Sequence, residues 1–216
     1  MRRLLHPNWP LFRSSETADE RIVARQGTVE IRRTLACWSL ETCVKGEPDC
    51  ARATALRRLA NYANGRNRDR TRLRVARPLV QSAESTGRWR VRVALPDLDG
   101  DFAAVARRNG KVRLRAHDAE TLAVIRVTGR PSALAVQHAE TAIRHAIAPT
   151  YWQATGAAML RLHTLPAALP FLGRFEVAVP VTERFVQPTT WDRVREMAFH
   201  QSTTQERATR SCPPMR

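Results

Sequence analysis

Two stretches of the sequence recur at nearly the same spacing, and this recurrence constrains the fold more than any other feature. Residues 33–38 resemble residues 120–125, and residues 88–96 resemble residues 174–180. The two pairs are offset by 87 and 86 positions. Because two distant pairs share almost the same offset, the sequence predicts an internal repeat rather than two chance similarities.

Each half of this repeat has the same predicted order of elements: a strand, a helix and two strands. Alternation of apolar and polar residues indicates the strands, and apolar residues three and four apart indicate the helices. The predicted strands lie at 28–41, 72–82 and 88–95 around a helix at 50–63, and at 121–128, 157–163 and 174–181 around a helix at 132–147. Two more strands are predicted at 21–25 and 112–117, and a short helix at 101–108. The predicted fold is α+β, with two pseudo-symmetric β-α-β-β repeats that form a distorted antiparallel barrel or sheet and two long helices packed on it.

The length and composition favour one folded domain with polar ends. The chain has 216 residues, of which 43% are hydrophobic and 26% charged, enough to bury a core. The predicted organisation is a flexible leader at 1–20, a domain at 21–182 with repeats at about 28–96 and 112–181, and a polar tail with a short helix at 183–216. No apolar run approaches the roughly 18 residues that a membrane span needs. The first apolar stretch ends at His6 and Pro7, so a cytoplasmic protein is expected.

A net charge of +16 is the strongest oddity of the composition, and it comes almost wholly from arginine, since Lys45 and Lys111 are the only lysines. Such a charge favours an anionic partner: nucleic acid, an anionic membrane surface or a ligand with carboxylates. The other interpretation is a solvated surface that happens to be rich in arginine.

The sequence contains no recognisable catalytic or metal-binding pattern. The four cysteines, at positions 37, 43, 50 and 212, have no CxxC or zinc-like spacing, and they are expected to be free thiols. Glu30 and Glu176 are isolated carboxylates in predicted strands, and no nucleophile, P-loop or dinucleotide motif is present. The chain is therefore predicted to bind a ligand and not to be an enzyme.

Several segments resemble, in the right order, the SOUL haem-binding family. The first predicted helix ends in Tyr62 and a turn at Asn64 and Gly65, and the strand that follows has Pro78 near its middle. Other matching segments are 29–33, 56–67, 122–130 and 170–179. The resemblance covers about residues 21 to 181. It implies a soluble protein that buffers or carries haem or another tetrapyrrole, bound non-covalently as b-type haem.

The resemblance also implies an apolar slot between the first helix and the loop before the last strand. The slot would be lined by Leu59, Ala60 and Ala63 from the helix and by Leu165, Pro166, Phe171 and Leu172 from the loop. Arg57, Arg58 and Arg174 would pair with the haem propionates, because a guanidinium suits a carboxylate. The candidate axial ligand is His163, at the end of a predicted strand beside the slot. Ordinary core packing and solvated arginines are the alternatives.

Some positions depart from the family pattern. Val75 and Ala76 stand where the family usually has methionine and threonine, Arg74 and Arg77 where small residues are common, and Phe175 where it has asparagine. An alternative function is therefore a SOUL-like scaffold that binds another small ligand or an anionic polymer such as nucleic acid. Cys212 precedes a proline, as in haem-responsive segments, but a dipeptide is a weak signal.

Overall fold

Ten strands and two helices make up the part of the chain that the computed structural model describes, residues 18–67, 70–96, 110–163 and 174–184. In chain order they are β1 (Glu20–Gln26), β2 (Val29–Thr34), β3 (Cys37–Lys45), α1 (Pro48–Ala63), β4 (Ala76–Ser85), β5 (Arg88–Leu95), β6 (Arg113–His117), β7 (Thr121–Thr128), α2 (Ala133–Ile147), β8 (Trp152–Ala154), β9 (Met159–Leu162) and β10 (Arg174–Glu183). The chain divides into two compact units, residues 1–182 and 183–216. All twelve elements belong to the first unit, except that Glu183, the last residue of β10, is counted with the second.

Nine strands form one curled antiparallel sheet in the order β1-β2-β7-β10-β9-β4-β5-β3-β6, and β8 pairs with β10 beside this path. The curl is seen where the amide of Ala18, just before β1, donates to the carbonyl of Arg77 in β4 at 2.7 Å, although β1 and β4 lie five places apart in the sheet. The predicted α+β class, with two helices on an antiparallel sheet, is confirmed. The relation between the two halves as internal repeats stays a prediction.

The predicted strand at 28–41 is in fact two strands with different neighbours. β2 pairs with β7, whereas β3 pairs with β5 and β6. Between them, the amide of Thr34 donates to the carbonyl of Glu120 at 2.8 Å, and Leu35 and Ala36 carry the chain across. No glycine, proline or other turn residue marks the break, which is why the sequence pattern alone merged the two strands.

The other element boundaries differ from the prediction by a few residues. α1 begins at Pro48, because proline suits the first turn of a helix. α2 follows Ser132, whose hydroxyl accepts a hydrogen bond from the amide of Ala135 at 3.2 Å. The short strand β8 was not predicted. The predicted helix at 101–108, the N-terminal leader and the C-terminal helix lie outside the described residues, apart from a few positions at their edges.

Both helices pack on one face of the sheet, here called the helix face. Alternate side chains of a strand point to opposite faces, and those that meet the helices are almost wholly apolar. Leu59 of α1 and Ile143 of α2 join a single core with strand residues such as Leu40, Val91, Val93, Leu160, Leu162, Phe175, Val177 and Val179. A smaller apolar cluster lies apart from this core and consists of Val80, Leu122, Val124, Met159 and Ala178. The strand alternation places that cluster on the opposite side, here called the open face.

Leu59 tests the packing of the helix face because its side chain is 0% exposed. We expect Leu59→Ala to lower the free energy of unfolding by about 2–5 kcal/mol, since it removes buried methyl groups and leaves a cavity. The matched control is Leu134→Ala on α2, where the side chain is 60% exposed and the change should stay within about 0.5 kcal/mol. Urea unfolding measures the free energy of unfolding of both variants. Equal losses of stability in the two would show that Leu59 of α1 does not pack in the core.

Candidate functional site

A cavity of about 520 Å³ opens on the open face of the sheet. Residues from eight strands and their connections line it, so the curl of the sheet creates it. Its apolar walls are formed by Leu35, Trp38, Ala76, Pro78, Val80, Ala94, Leu95, Pro96, Leu122 and Met159. Its volume lies within the range of roughly 300–1,000 Å³ that is usual for small-molecule sites. The cavity is therefore large enough to hold an organic ligand.

A buried carboxylate organises one end of this cavity. Glu176 of β10 is almost fully buried, and its Oε1 accepts from Arg32 Nη2 at 3.0 Å and from Arg126 Nε at 3.1 Å. Its Oε2 accepts from His163 Nε2 at 2.8 Å and lies 3.4 Å from Arg161 Nη1. Side chains from β2, β7 and β9, and the histidine that follows β9, thus meet at one carboxyl group of β10.

Two further glutamates complete this group of charges. Arg161 pairs with Glu20, and Arg32 Nη2 donates to Glu30 Oε2 at 2.7 Å. Burial opposes the charged form of Glu176, but hydrogen bonds from His163 and Arg32 and the charge of Arg161 outweigh it. Together they hold the pKa of Glu176 well below its usual value, so this carboxylate stays ionised at neutral pH.

A second charged group lies at the other end, around Glu41 of β3. Arg92 Nη1 is 2.7 Å from His117 Nδ1, and Arg92 Nη2 is 3.4 Å from a Glu120 oxygen. His117 Nε2 lies 4.0 Å from Glu41 Oε2. Burial, with the charges of Arg92, Arg115 and Arg90, lowers the pKa of His117 to about 4. The imidazole is neutral at pH 7, and Nε2 carries its hydrogen because Nδ1 accepts from Arg92.

Several polar atoms of the cavity lining have no hydrogen-bond partner among the described residues. They are Nε and Nη1 of Arg161, Nε2 of His117 and Oγ of Ser39. All four can donate a hydrogen bond, and an unsatisfied buried donor costs free energy of about 1–3 kcal/mol. Arg92 also lines the cavity, and its half-buried guanidinium can donate to oxygen acceptors of a ligand. The cavity therefore suits a molecule with an apolar body and carboxylate or carbonyl groups.

The slot residues predicted from the sequence lie on the helix face. Leu59, Ala60 and Ala63 are buried in the core between α1 and the sheet. Arg57 is exposed, and Arg58, which is half-buried, donates from Nη1 to the carbonyl of Cys43 at 3.2 Å. The loop residues Leu165, Pro166, Phe171 and Leu172 lie outside the described residues, so the slot itself stays a prediction.

The remaining predicted site residues lie on two strands near the open face. His163 follows β9 and is bound to Glu176, while Arg174 is exposed at the start of β10. Because His163 lies on the open face, the structure does not bring it together with Leu59, Ala60 and Ala63. Among the positions that depart from the family pattern, Ala76 lines the cavity and Phe175 packs in the core.

Sequence reasoning missed the cavity of the open face. A signal was present: Arg161 and Glu176 each stand between apolar residues of a predicted strand, and Arg32 follows Ile31 in another. Such charged positions suggest an exposed sheet face, but here the curl of the sheet buries them together. Cys37, which lines the cavity, and Cys43 and Cys50 are free thiols. No described helix is long and apolar enough to cross a membrane.

His117 makes the stability of the protein depend on pH in a defined window. Its pKa in the folded state is about 4, below the ordinary value of 6.5, so the unfolded chain binds the proton more tightly. This contribution to stability is present above about pH 6.5 and is lost as the pH falls towards 4. Between pH 7 and pH 5, the free energy of unfolding should fall by about 1–2 kcal/mol more in the wild type than in His117→Gln. His145→Gln, at an exposed position of α2, is the control. If His117→Gln keeps the full pH dependence, the burial of His117 is not its cause.

Solved structures of low sequence identity share this fold. The C-terminal domain of EcmrR aligns with a TM-score of 0.55 at 10% identity over 72% of this chain and 97% of that domain. EcmrR in a complex with DNA aligns with a TM-score of 0.56 at 10% identity over 72% of this chain, which spans 57% of the length of that chain. A hydrolase from Listeria innocua aligns with a TM-score of 0.55 at 18% identity over 74% of this chain and 94% of the hydrolase.

These likenesses establish the fold alone, because each identity is below 25%. No curated protein matches the sequence. The family model described as SOUL heme-binding protein matches residues 15–180, which takes in both helices and nearly the whole sheet. The match confirms the resemblance seen in the sequence, and the chain belongs to the SOUL heme-binding protein family.

Proposed function

We propose that this protein binds haem or another tetrapyrrole non-covalently in the cavity of the open face, and that it buffers or carries that ligand. One observation carries the proposal: the cavity joins apolar walls to the guanidinium groups of two lining arginines, Arg92 and Arg161. Membership of a haem-binding family supports the choice of ligand. The free thiols support a reducing compartment, the cytoplasm.

The lining residues fit the chemistry of haem, a flat apolar ring with two carboxylates. Val80, Leu122 and Met159 offer apolar contacts for the ring, and Arg161 and Arg92 offer guanidinium groups for the carboxylates. The acidic lining residues Glu20 and Glu120 already pair with these two arginines, and Asp19 and Asp118 are exposed. When bound, haem supplies an iron centre whose reactivity depends on its axial ligands and surroundings.

Neither histidine near the cavity has an Nε2 lone pair available to bind an iron atom. His163 Nε2 donates to Glu176, and His117 Nδ1 accepts from Arg92, which leaves a hydrogen on Nε2. Ligation by His163 would need its Nδ1 or the loss of a hydrogen bond to a buried carboxylate. The arrangement therefore favours a ligand held by apolar burial and arginine contacts, with His163 as a support for Glu176.

The lining also favours binding over catalysis. Cys37 is a nucleophile type within the cavity, but burial raises the pKa of its thiol. The thiolate, which is the reactive form, is then disfavoured at neutral pH. Glu176 and His117 are held in hydrogen bonds, and the pKa of each lies below its ordinary value. Such groups suit the recognition of a ligand better than proton transfer.

Bulk introduced into the cavity should block the ligand. Ala94 lines the cavity from β5 and is half-buried, so Ala94→Trp can project into the space without entering the main core. We expect haemin to bind the wild type with a saturable Soret shift and Ala94→Trp at least about tenfold more weakly, which is about 1.4 kcal/mol. Ala53→Trp, on the exposed side of α1, is the matched control and should bind like the wild type.

Two results would contradict this assignment. Non-saturating association of haemin with the wild type would remove the proposed function. Saturable binding that Ala94→Trp leaves unchanged, with circular dichroism showing an intact fold, would move the site away from the open face and back towards the predicted slot on the helix face.

The role of His163 has a spectroscopic test. If haem is held without this imidazole, His163→Ala should leave the Soret maximum of the complex in place. The variant should still be less stable than the wild type, because Glu176 loses one of its hydrogen bonds. A large shift of the Soret and visible bands in His163→Ala would show that the imidazole ligates the iron.

A further inference from the structure

A dense group of arginines lies at the C-terminal end of α1, on the far side of the sheet from the cavity. Residues 57–74 contain seven arginines and a single acidic residue. Within this stretch, Arg57, Arg66, Arg70, Arg72 and Arg74 are exposed; these five residues are called the arginine surface. We propose that the arginine surface binds the phosphate backbone of nucleic acid.

The chain folds back on α1 and so displays these arginines on an ordered frame. Asn67 is central: its Nδ2 donates to the carbonyls of Tyr62 at 3.0 Å and Thr71 at 2.5 Å, and its Oδ1 accepts from the amide of Thr71 at 3.0 Å. The amide of Leu73 then donates to the carbonyl of Ala63 at 2.8 Å, which ties the returning chain to the helix end. Preorganisation of this kind lowers the entropy that is lost when an anion binds.

The arginine surface is contiguous with one side of α1. Arg57 and Asn61 are exposed one turn apart, and the amide of Arg66 donates to the carbonyl of Asn61 at 2.9 Å. Asn64, which ends the helix, forms a β-bridge with Arg72. Guanidinium and amide groups therefore follow one another over the helix end, and both are common donors to phosphate oxygens.

Several arginines elsewhere in the protein are neutralised by carboxylates, as with Arg32 and Arg161 around Glu176. Within the described part of the chain, Arg57, Arg70 and Arg72 form no ion pair with a carboxylate. Much of the excess positive charge is therefore concentrated here. A patch of this kind attracts a polyanion and releases its counterions on contact.

The character of the patch favours nucleic acid over a membrane surface. The large apolar side chains that are exposed in the described residues, such as Leu134 and Tyr151, all lie outside it. Binding at a membrane interface needs apolar side chains that enter the lipid, and stacking on single-stranded bases needs aromatic ones. Arginines without either fit the regular phosphates of a duplex, which a planar guanidinium can contact through two hydrogen bonds.

The test measures binding of a fluorescein-labelled DNA duplex by anisotropy over a range of salt concentrations. The wild type should bind at low salt and lose affinity linearly on a logarithmic scale as salt rises. In Arg70→Gln/Arg72→Gln, affinity at low salt should fall at least about tenfold, and the salt slope should be shallower by about two, close to one per lost phosphate contact.

The control is Arg33→Gln/Arg113→Gln, which removes the same charge from exposed positions on β2 and β6. It should change the affinity by less than about threefold, because phosphate contacts at the arginine surface are kept. Equal losses in the two double variants, or no duplex binding at low salt, would overturn the proposal. So would binding to phosphatidylserine vesicles without binding to DNA. Haemin binding should be unchanged in Arg70→Gln/Arg72→Gln, so this proposal and the haem proposal fail independently.

Discussion

The open face of this protein depends on one buried carboxylate. Glu176 lies near the middle of the curled sheet and holds Arg32 of β2, Arg126 of β7 and Arg161 of β9. Arg161 in turn pairs with Glu20, which draws β1 over the open face. Removing one partner from such a buried network leaves the other charges uncompensated and costs several kcal/mol. The same contacts that close the curl therefore fix the position of the guanidinium at the cavity wall.

The curl also separates the functions of the two faces of the sheet. On the helix face, alternate strand residues pack against α1 and α2 in an apolar core. On the open face, the curl encloses a space that neither α1 nor α2 fills, lined by apolar residues between two groups of charges. One set of strands thus supplies both the stability of the domain and the walls of the cavity, through the two-residue alternation of β structure.

Periodicity predicted the helices and most of the strands because those features are local. The helix at 50–63 and the strand at 88–95 need only their own residues, and the structure has them at Pro48–Ala63 and Arg88–Leu95. The split between β2 and β3 was missed because it depends on which strands they pair with, and those partners lie far away in the sequence.

The cavity of the open face escaped prediction for the same reason. Glu30 and Glu176 look isolated in the sequence, yet both bind Arg32 because β2, β7 and β10 are neighbours in the sheet. The family resemblance implies haem or another tetrapyrrole as the ligand, and it implies a slot on the helix face. The cavity on the other face is a product of the curl, which no single segment encodes.

The most direct measurement of where the ligand sits uses Met159, a cavity residue and one of only four methionines in the chain. Protein labelled with ¹³C at the methionine methyl groups is titrated with haemin and followed by NMR. If haem occupies the open-face cavity, the paramagnetic iron should broaden or shift the Met159 methyl resonance in step with the Soret change. Saturable haemin binding that leaves this resonance unchanged would contradict a site on the open face.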